Sequence, residues 1–381
     1  MIKSTEYRLG QLCKRFSSGK GISAELISNE GEYPVIGGNG LRGFTDTFNF
    51  DGECAVIGRQ GAYCGNVKYF SGKGYMTEHA VVAEPTDEHN AKYMTYKLGG
   101  LQLGRFSGQA AQPGLSVTKL ARLRIEMPPK WYQDKVASVL SNYDNLIEVN
   151  NQRIKVLEQM AENLYKEWFV RFRFPGYETA EFENGLPKGW EYSTIEALSD
   201  ILQRGISPEY DDEGDLTVIS QKCIRQTIMD IREARKQTKQ YRDELNLQDG
   251  DTVICSTGTG TLGRVGQVYG DFPKATFDSH VTLVRAKQDT GKHYLFWTLK
   301  NMEVWFMNMG IGSTNQQELY RNTIKNAKAI KPKKVIVEQF ESIIEPIHND
   351  VVSLIHSQAN LTRQRDLLLP RLMNCKLEVE K

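Results

Sequence analysis

An internal repeat constrains this chain more than any single motif. Asp51-Gly-Glu-Cys-Ala-Val-Ile-Gly-Arg-Gln-Gly-Ala-Tyr-Cys-Gly65-Asn-Val67 has an ungapped counterpart in Asp249-Gly-Asp-Thr-Val-Ile-Cys-Ser-Thr-Gly-Thr-Gly-Thr-Leu-Gly263-Arg-Val265. Both read as a turn, an apolar strand, a glycine-rich turn and a second strand. Glu78-His79-Ala-Val-Val then matches Ser279-His280-Val-Thr-Leu. Gln112 precedes Pro128 by the same distance that Gln316 precedes Pro332, with Leu115 and Leu319 at equal places between. Near the starts, Lys20-Gly21-Ile22-Ser23 resembles Arg204-Gly205-Ile206-Ser207.

A helical stretch follows each proline. Leu140, Tyr143, Ile147, Asn150, Ile154, Leu157, Ala161, Leu164 and Trp168 alternate three and four residues apart, a heptad seam with Asn150 as its polar interruption. Displaced by 204 residues, the second stretch gives Ile344, Ile347, Val351, Leu354, Gln358, Leu361, Arg365, Leu368 and Leu372. Each helix of roughly 40 residues would be about 60 Å long. Pro346 predicts a kink or a late start in the second.

The order is globular unit, long helix, globular unit, long helix. Boundaries fall at 1–127, 128–173, 174–331 and 332–375, with a proline- and glycine-containing linker opening the third segment. Strand-like runs include Ala55–Ile57, Asn66–Phe70, Ala80–Ala83, Leu216–Ser220, Thr252–Cys255, Arg264–Tyr269 and Val281–Arg285. Tyr93–Leu103 and Lys292–Met307 read as helices. The fold class is α+β: two mixed α/β domains related by the repeat, separated by two long helices.

Composition limits the function classes. With 381 residues, 40% hydrophobic and 25% charged, the chain is long enough for two or three domains with their own cores. It has no run of about 18 apolar residues for a membrane span, and its start lacks the apolar core of a signal peptide. Six scattered cysteines form no C-x-x-C pair and read as reduced cytoplasmic thiols. The net charge of +1 does not announce DNA. It permits local basic patches, or a protein that shares phosphate contacts with partners.

Catalytic motifs fail one by one. Gly258-Thr-Gly260-Thr-Leu-Gly263 is a literal G-x-G-x-x-G, but β-like Arg264-Val-Gly-Gln-Val-Tyr269 follows it. A dinucleotide or S-adenosylmethionine site needs a helix there, so a tight turn between strands is the better reading. Met127-Pro128-Pro129-Lys130 lacks the polar first residue and aromatic last residue that an amino-methyltransferase uses on a flipped base. There is no phosphate-binding G-x-x-x-x-G-K-[ST] loop, and no Asp-x-Lys or Glu-x-Lys tripeptide of the common restriction nuclease motif. His79 and His280 share a repeat position without a recurring nucleophile, which favours hydrogen-bonded fold positions over catalysis.

Duplication, order and motifs together resemble the specificity subunit of type I restriction–modification systems over nearly the whole chain. The resemblance rests on the two-fold repeat, Leu186-Pro-Lys-Gly-Trp190 opening the second unit, the Gly250–Gly263 segment, and Gln112-Pro-Gly-Leu-Ser116 before a Pro-led helix. The first unit, starting at Tyr7-Arg-Leu-Gly, lacks a Leu-Pro-x-Gly-Trp opening. The resemblance implies two target-recognition domains, each reading half of a bipartite double-stranded DNA site, and spacer helices packed as an antiparallel coiled coil. Two modification subunits carrying S-adenosylmethionine would dock on the assembly, and restriction subunits with ATP-driven, magnesium-dependent motors could join. This chain would carry no active site and no cofactor. A recognition subunit of a system cutting on both sides of its site, a compact methyltransferase and a protein-only coiled-coil scaffold are the competing readings.

For DNA contact, polar and basic residues near the predicted glycine-rich turns are the candidates. They are Lys20, Arg42, Arg59, Gln60 and Lys68 in the first unit, and Lys222, Arg225, Thr257, Thr259, Arg264 and Lys274 in the second. Arginine and glutamine can pair with base edges, whereas lysine more often positions phosphate. The run Arg225–Arg242 adds Arg232, Arg235, Lys236, Lys239 and Arg242 against Asp230 and Glu233, and is read equally as a solvated surface.

Overall fold

The computed structural model describes residues 2–108, 114–225, 227–312 and 317–377. Gln112 and Gln316, which mark the repeat in the sequence, lie outside the described residues. The chain divides into two compact units, Met1–Val149 with Gln358–Lys381, and Asn150–Ser357.

The first unit contains β1 (Thr5–Arg8), β2 (Cys13–Ser18), β3 (Tyr33–Gly37), β4 (Gly40–Thr45), β5 (Phe50–Gly58), β6 (Val67–Met76), β7 (Ala80–Pro85) and β8 (Arg124–Met127). Six of these form one sheet in the order β2-β7-β5-β6-β3-β4, antiparallel except for the β3–β6 pair. β1 and β8 close the unit as a separate antiparallel ribbon. Helix α1 (Ala91–Gly99) covers the sheet, and α2 (Val117–Ala121) precedes β8. The long α3 (Lys130–Tyr165) starts directly after Pro128-Pro129, where proline's fixed φ suits a helix start.

The second unit opens with a small hairpin, β9 (Phe182–Glu183) and β10 (Leu186–Pro187). Its ribbon pairs β11 (Glu191–Thr194) with β19 (Lys328–Lys331), the counterpart of β1–β8. Between them lie α4 (Ile195–Leu198), β12 (Ser199–Arg204), β13 (Leu216–Ile219), β14 (Arg235–Gln237), β15 (Thr252–Cys255), β16 (Val265–Gln267), β17 (Ala275–Phe277) and β18 (Val281–Ala286). Helices α5 (Lys292–Asn301), α6 (Glu303–Asn308) and α7 (Arg321–Lys325) follow, and α8 (Lys334–Met373) ends the fold. Here the sheet splits into β12-β18-β15-β16 and β14-β13-β17. The place of the ten-residue β6 is taken by two short strands, β16 and β17. Pro273 between them has no N–H to donate to a ladder, so the chain leaves the sheet there.

Every seam residue read from the heptad spacing is buried or half-buried. In the first unit the helix segments run antiparallel: Tyr132 Oη donates to Leu372 O at 3.1 Å, and Arg365 Nη1 to Asp144 Oδ1 at 2.8 Å. In the second unit Ile154 packs with Val351 and Leu354, and Trp168 lies 5.9 Å from the Phe340 ring. Asn150 spends its polarity on Ser357 Oγ, 3.3 Å from its Nδ2. Of the kink or late start expected at Pro346, the late start does not occur: α8 begins twelve residues before the proline and runs through it. Buried Ile344 and Val351 on either side offset the one backbone bond a mid-helix proline removes.

α3 ends in a π-helical turn, Lys166–Val170, which places both Trp168 and Phe169 in the core. Phe169 is the hub of an aromatic cluster, 4.6 Å from the Tyr294 ring, 5.0 Å from Phe340 and 5.8 Å from Trp190. Trp190 closes the Leu-Pro-x-Gly-Trp motif. The motif is therefore a packing device that seats the linker on the helices. Among the described residues no helix is long and apolar enough to cross a membrane.

Candidate nucleic-acid interface

In both units the strands deliver their loops to one end of the sheet, and the same five backbone hydrogen bonds stitch those loops together. In the first unit Gly19 N donates to Ala80 O (3.0 Å), Lys20 N to Met76 O (3.0 Å), Thr77 N to Ile36 O (2.9 Å), Arg59 N to His79 O (2.9 Å) and Leu115 N to Arg59 O (2.9 Å). In the second, Gly205 N donates to Val281 O (3.1 Å), Ile206 N to Phe277 O (3.0 Å), Asp278 N to Ile219 O (2.9 Å), Ser256 N to His280 O (2.8 Å) and Leu319 N to Ser256 O (2.8 Å).

These bonds correct the repeat read from sequence at two places. Gly205 corresponds to Gly19, not to Gly21. A Cβ on Gly19 would stand 2.0 Å from Met76 O and one on Gly205 2.1 Å from Phe277 O, whereas Gly21 has open space except for Glu78 Oε2 at 3.9 Å. The close backbone approach, and not the surrounding letters, is what requires glycine. The glycine-rich turn is also one residue longer in the second unit. Gly65 N returns to Gly58 O, whereas Gly263 N returns to Cys255 O, so Arg59 corresponds to Ser256 and Gln60 to Thr257. The G-x-G-x-x-G segment is the turn between β15 and β16, as its β-like continuation indicates.

The structure brings most of the sequence candidates to these two loop ends. In the first unit Lys20 and Gln60 are exposed, and Arg59 is half-buried with Nη1 3.4 Å from Ser18 Oγ. Arg42 lies across Gly37, where a Cβ would meet its Cδ at 2.6 Å. Lys68 reaches in from β6 to donate to Asn39 O at 2.7 Å in the β3–β4 turn. In the second unit Thr257, Thr259 and Arg264 lie in or directly after the glycine-rich turn, and Lys222 follows β13. Arg225 stands one turn further on, its Nε donating to Lys222 O at 3.1 Å. Lys274 is apart from the others: it precedes β17, at the opposite end of that strand from Asp278.

Most of the basic run finds partners inside its own unit. Arg232 holds Asp230 in a two-pronged pair at 2.8 Å, and Arg225 is 3.7 Å from Glu233. Arg242 is 2.7 Å from Glu244, Lys239 donates to Ser207 O, and Arg235 lies 3.6 Å over the Tyr210 ring. Half of the cations in the run are paired with a carboxylate, while Arg235, Lys236 and Lys239 keep their charge without an acidic partner among the described residues, so the run stays basic overall.

Sequence reasoning read the two histidines as hydrogen-bonded fold positions and did not count them among the candidate contacts. Both sit on the loop end, where their carbonyls accept the Arg59 and Ser256 amides. His79 Nε2 is 3.2 Å from Glu78 Oε1, whereas His280 is exposed and its Nδ1 is 2.6 Å from Thr257 Oγ1. Their equal repeat positions were the available signal. Buried Asp278 accepts the His280 amide at 2.9 Å, and burial raises its carboxyl above the usual range.

Two matching loop ends on one chain agree with a repeated domain profile. The type I restriction modification DNA specificity domain matches residues 1–159 and again residues 187–356. The chain belongs to this family. It is 37% identical over 166 residues to the EcoprrI specificity subunit of Escherichia coli, a match covering 42% of this chain and 41% of that subunit. The MjaIX specificity subunit of Methanocaldococcus jannaschii is 24% identical over 314 residues, covering 78% of this chain and 71% of that one. The fold is shared with the S subunit of a type I restriction–modification system from M. genitalium, with a TM-score of 0.67 at 17% identity over 97% of this chain and 96% of that one.

Proposed function

We propose that this chain is the non-catalytic DNA-specificity subunit of a cytoplasmic type I restriction–modification complex. Each unit reads one half of a bipartite double-stranded site with its loop end. Lys20, Arg42, Arg59 and Gln60 serve one half, and Lys222, Thr257, Thr259 and Arg264 the other, with Lys68 and Arg225 at the margins and Lys274 outside the contact. The observation that carries this reading is the five-for-five match of backbone bonds that holds polar loops at the same end of both sheets. A rigid frame with variable side chains can present different base contacts without changing the fold.

A tandem repeat offers two equivalent seats to a partner, as a homodimer does, but its halves can differ, so the site need not be palindromic. Two modification subunits occupy those seats and bring S-adenosylmethionine. Restriction subunits add the ATP- and magnesium-dependent steps. The near-neutral chain then leaves much of the phosphate contact to its partners.

The test is to co-express the chain with its cognate modification subunit and map methylated genomic positions. A two-part motif is expected, with no methylation, cleavage or ATP hydrolysis by the purified chain alone. Turnover by the pure chain that disappears on mutating its own residues would contradict the non-catalytic role. A methylated motif without two parts would contradict the bipartite one.

A further inference from the structure

We infer that His280 reads one base of the half-site served by the second unit, donating a hydrogen bond from Nε2 to an acceptor on the base edge. This rests on the function proposed above and adds to it a specific residue and a chemistry.

The backbone of His280 is fixed at both polar groups. Its N–H donates to Asp278 Oδ1 at 2.9 Å, and its carbonyl accepts from Ser256 N at 2.8 Å. The ring is fixed as well, because Thr257 Oγ1 stands 2.6 Å from Nδ1. Thr257 is itself held by a bridge to Glu318. A residue whose rotamer is locked from behind, while the side chain is exposed at the loop end, is organised for contact outward. Among the described residues Nε2 has no hydrogen-bond partner in the protein.

Thr257 Oγ1 can donate to Nδ1 or accept from it, and we take the hydroxyl as the donor, the arrangement that turns a protonated Nε2 outward. When the threonine hydroxyl donates to Nδ1, the neutral ring carries its proton on Nε2. When the ring is protonated, Nε2 again carries a proton. With the hydroxyl as donor to the neutral ring, Nε2 is a donor whether the ring is neutral or protonated, which suits guanine N7 or O6 in the major groove. Guanine is favoured over adenine, whose N7 lies beside an amino donor. The first unit lacks this arrangement. His79 there has Nε2 3.2 Å from Glu78 Oε1, and Gln60 replaces Thr257.

The experiment uses the assembled methyltransferase on a duplex library randomised at each half-site. The chains compared are wild type, His280→Ala and Thr257→Val. His280→Ala should lower discrimination at one position of the second unit's half-site by about tenfold, leaving every other position unchanged. Thr257→Val frees the ring to turn and also removes Thr257's own hydroxyl from this half-site, so it should relax the His280 position to a smaller degree than His280→Ala does. Thermal melting of each complex shows whether the fold is kept. Unchanged stringency in His280→Ala overturns the inference. So does a uniform loss of methylation at all sites, which marks His280 as a support of the domain and not a reader. If the wild-type complex itself shows no two-part motif, it is the proposed function that falls.

Discussion

The two units seat their sheet-covering helix on a long helix at corresponding joints built from different chemistry. In the first, α1 carries its own cap: Asn90 Oδ1 accepts from Tyr93 N at 2.9 Å, while Asn90 N and Nδ2 donate to Gln133 and Asp134 of α3. In the second, Gly291 precedes α5 and has no side chain to cap it, and Glu341 of α8 supplies a cap by accepting from His293 N (3.1 Å) and Tyr294 N (2.8 Å). The packing beneath differs in the same sense. Val136 is buried at the position in α3 that matches Phe340 in α8. Around it the first unit is built mainly of aliphatic side chains, with Tyr93 and Tyr132 among them, and the second around the Phe169 aromatic cluster. Duplication has preserved where the joint is and which orphan amides need a partner, while leaving open which side chains meet the need.

The sharpest contrast is in the cores. Phe340→Ala should cost about 3–5 kcal/mol, because a large ring leaves a cavity among neighbours that cannot close over it. Val136→Ala, losing two methyl groups, should cost about 2 kcal/mol. Denaturant unfolding of the purified chain measures both, and equal losses would break the contrast.

Next in size is the glycine contact that defines the loop end. Gly205→Ala brings a methyl group to 2.1 Å from Phe277 O and should destabilise by about 1–3 kcal/mol or more, whereas Gly21→Ala should be nearly neutral. If Gly21→Ala proves the more damaging, the pairing of Gly205 with Gly19 across the repeat is wrong.

A third contrast separates the caps by pH. Burial pushes the Glu341 carboxyl up to about 7, against the pull of the two backbone amides it accepts. A carboxyl raised in the folded state contributes stability below its unfolded pKa that is lost as pH rises towards the folded value. Wild-type stability should therefore fall relative to Glu341→Gln between about pH 4.5 and 7, with a constant difference above that. Asn90 does not titrate, so Asn90→Ala should cost about 1 kcal/mol at every pH in this window. Parallel melting curves for wild type and Glu341→Gln across it would remove the contrast.

What was legible in the sequence follows the same divide. The helix seams were visible because three-four spacing is a local pattern, and each seam residue faces inward. The strand runs and the turn between β15 and β16 were visible for the same reason. The requirement for glycine at Gly19 was not, since it is set by Met76 O far along the chain. Nor was the split sheet, although Pro273 was a sign of it. Of the candidate contacts, Lys274 shows the limit: proximity to glycines in sequence does not say to which end of a strand a residue belongs. The placing of the His280 ring depends on Thr257 in another turn, a pairing that no spacing encodes.

The central claim is that each unit reads its own half-site. It is tested most directly by replacing residues 1–127 with the matching domain of a related specificity subunit and sequencing the methylome of the resulting complex. The account predicts that one half of the methylated motif changes and the other stays the same base for base. A change in both halves would contradict it.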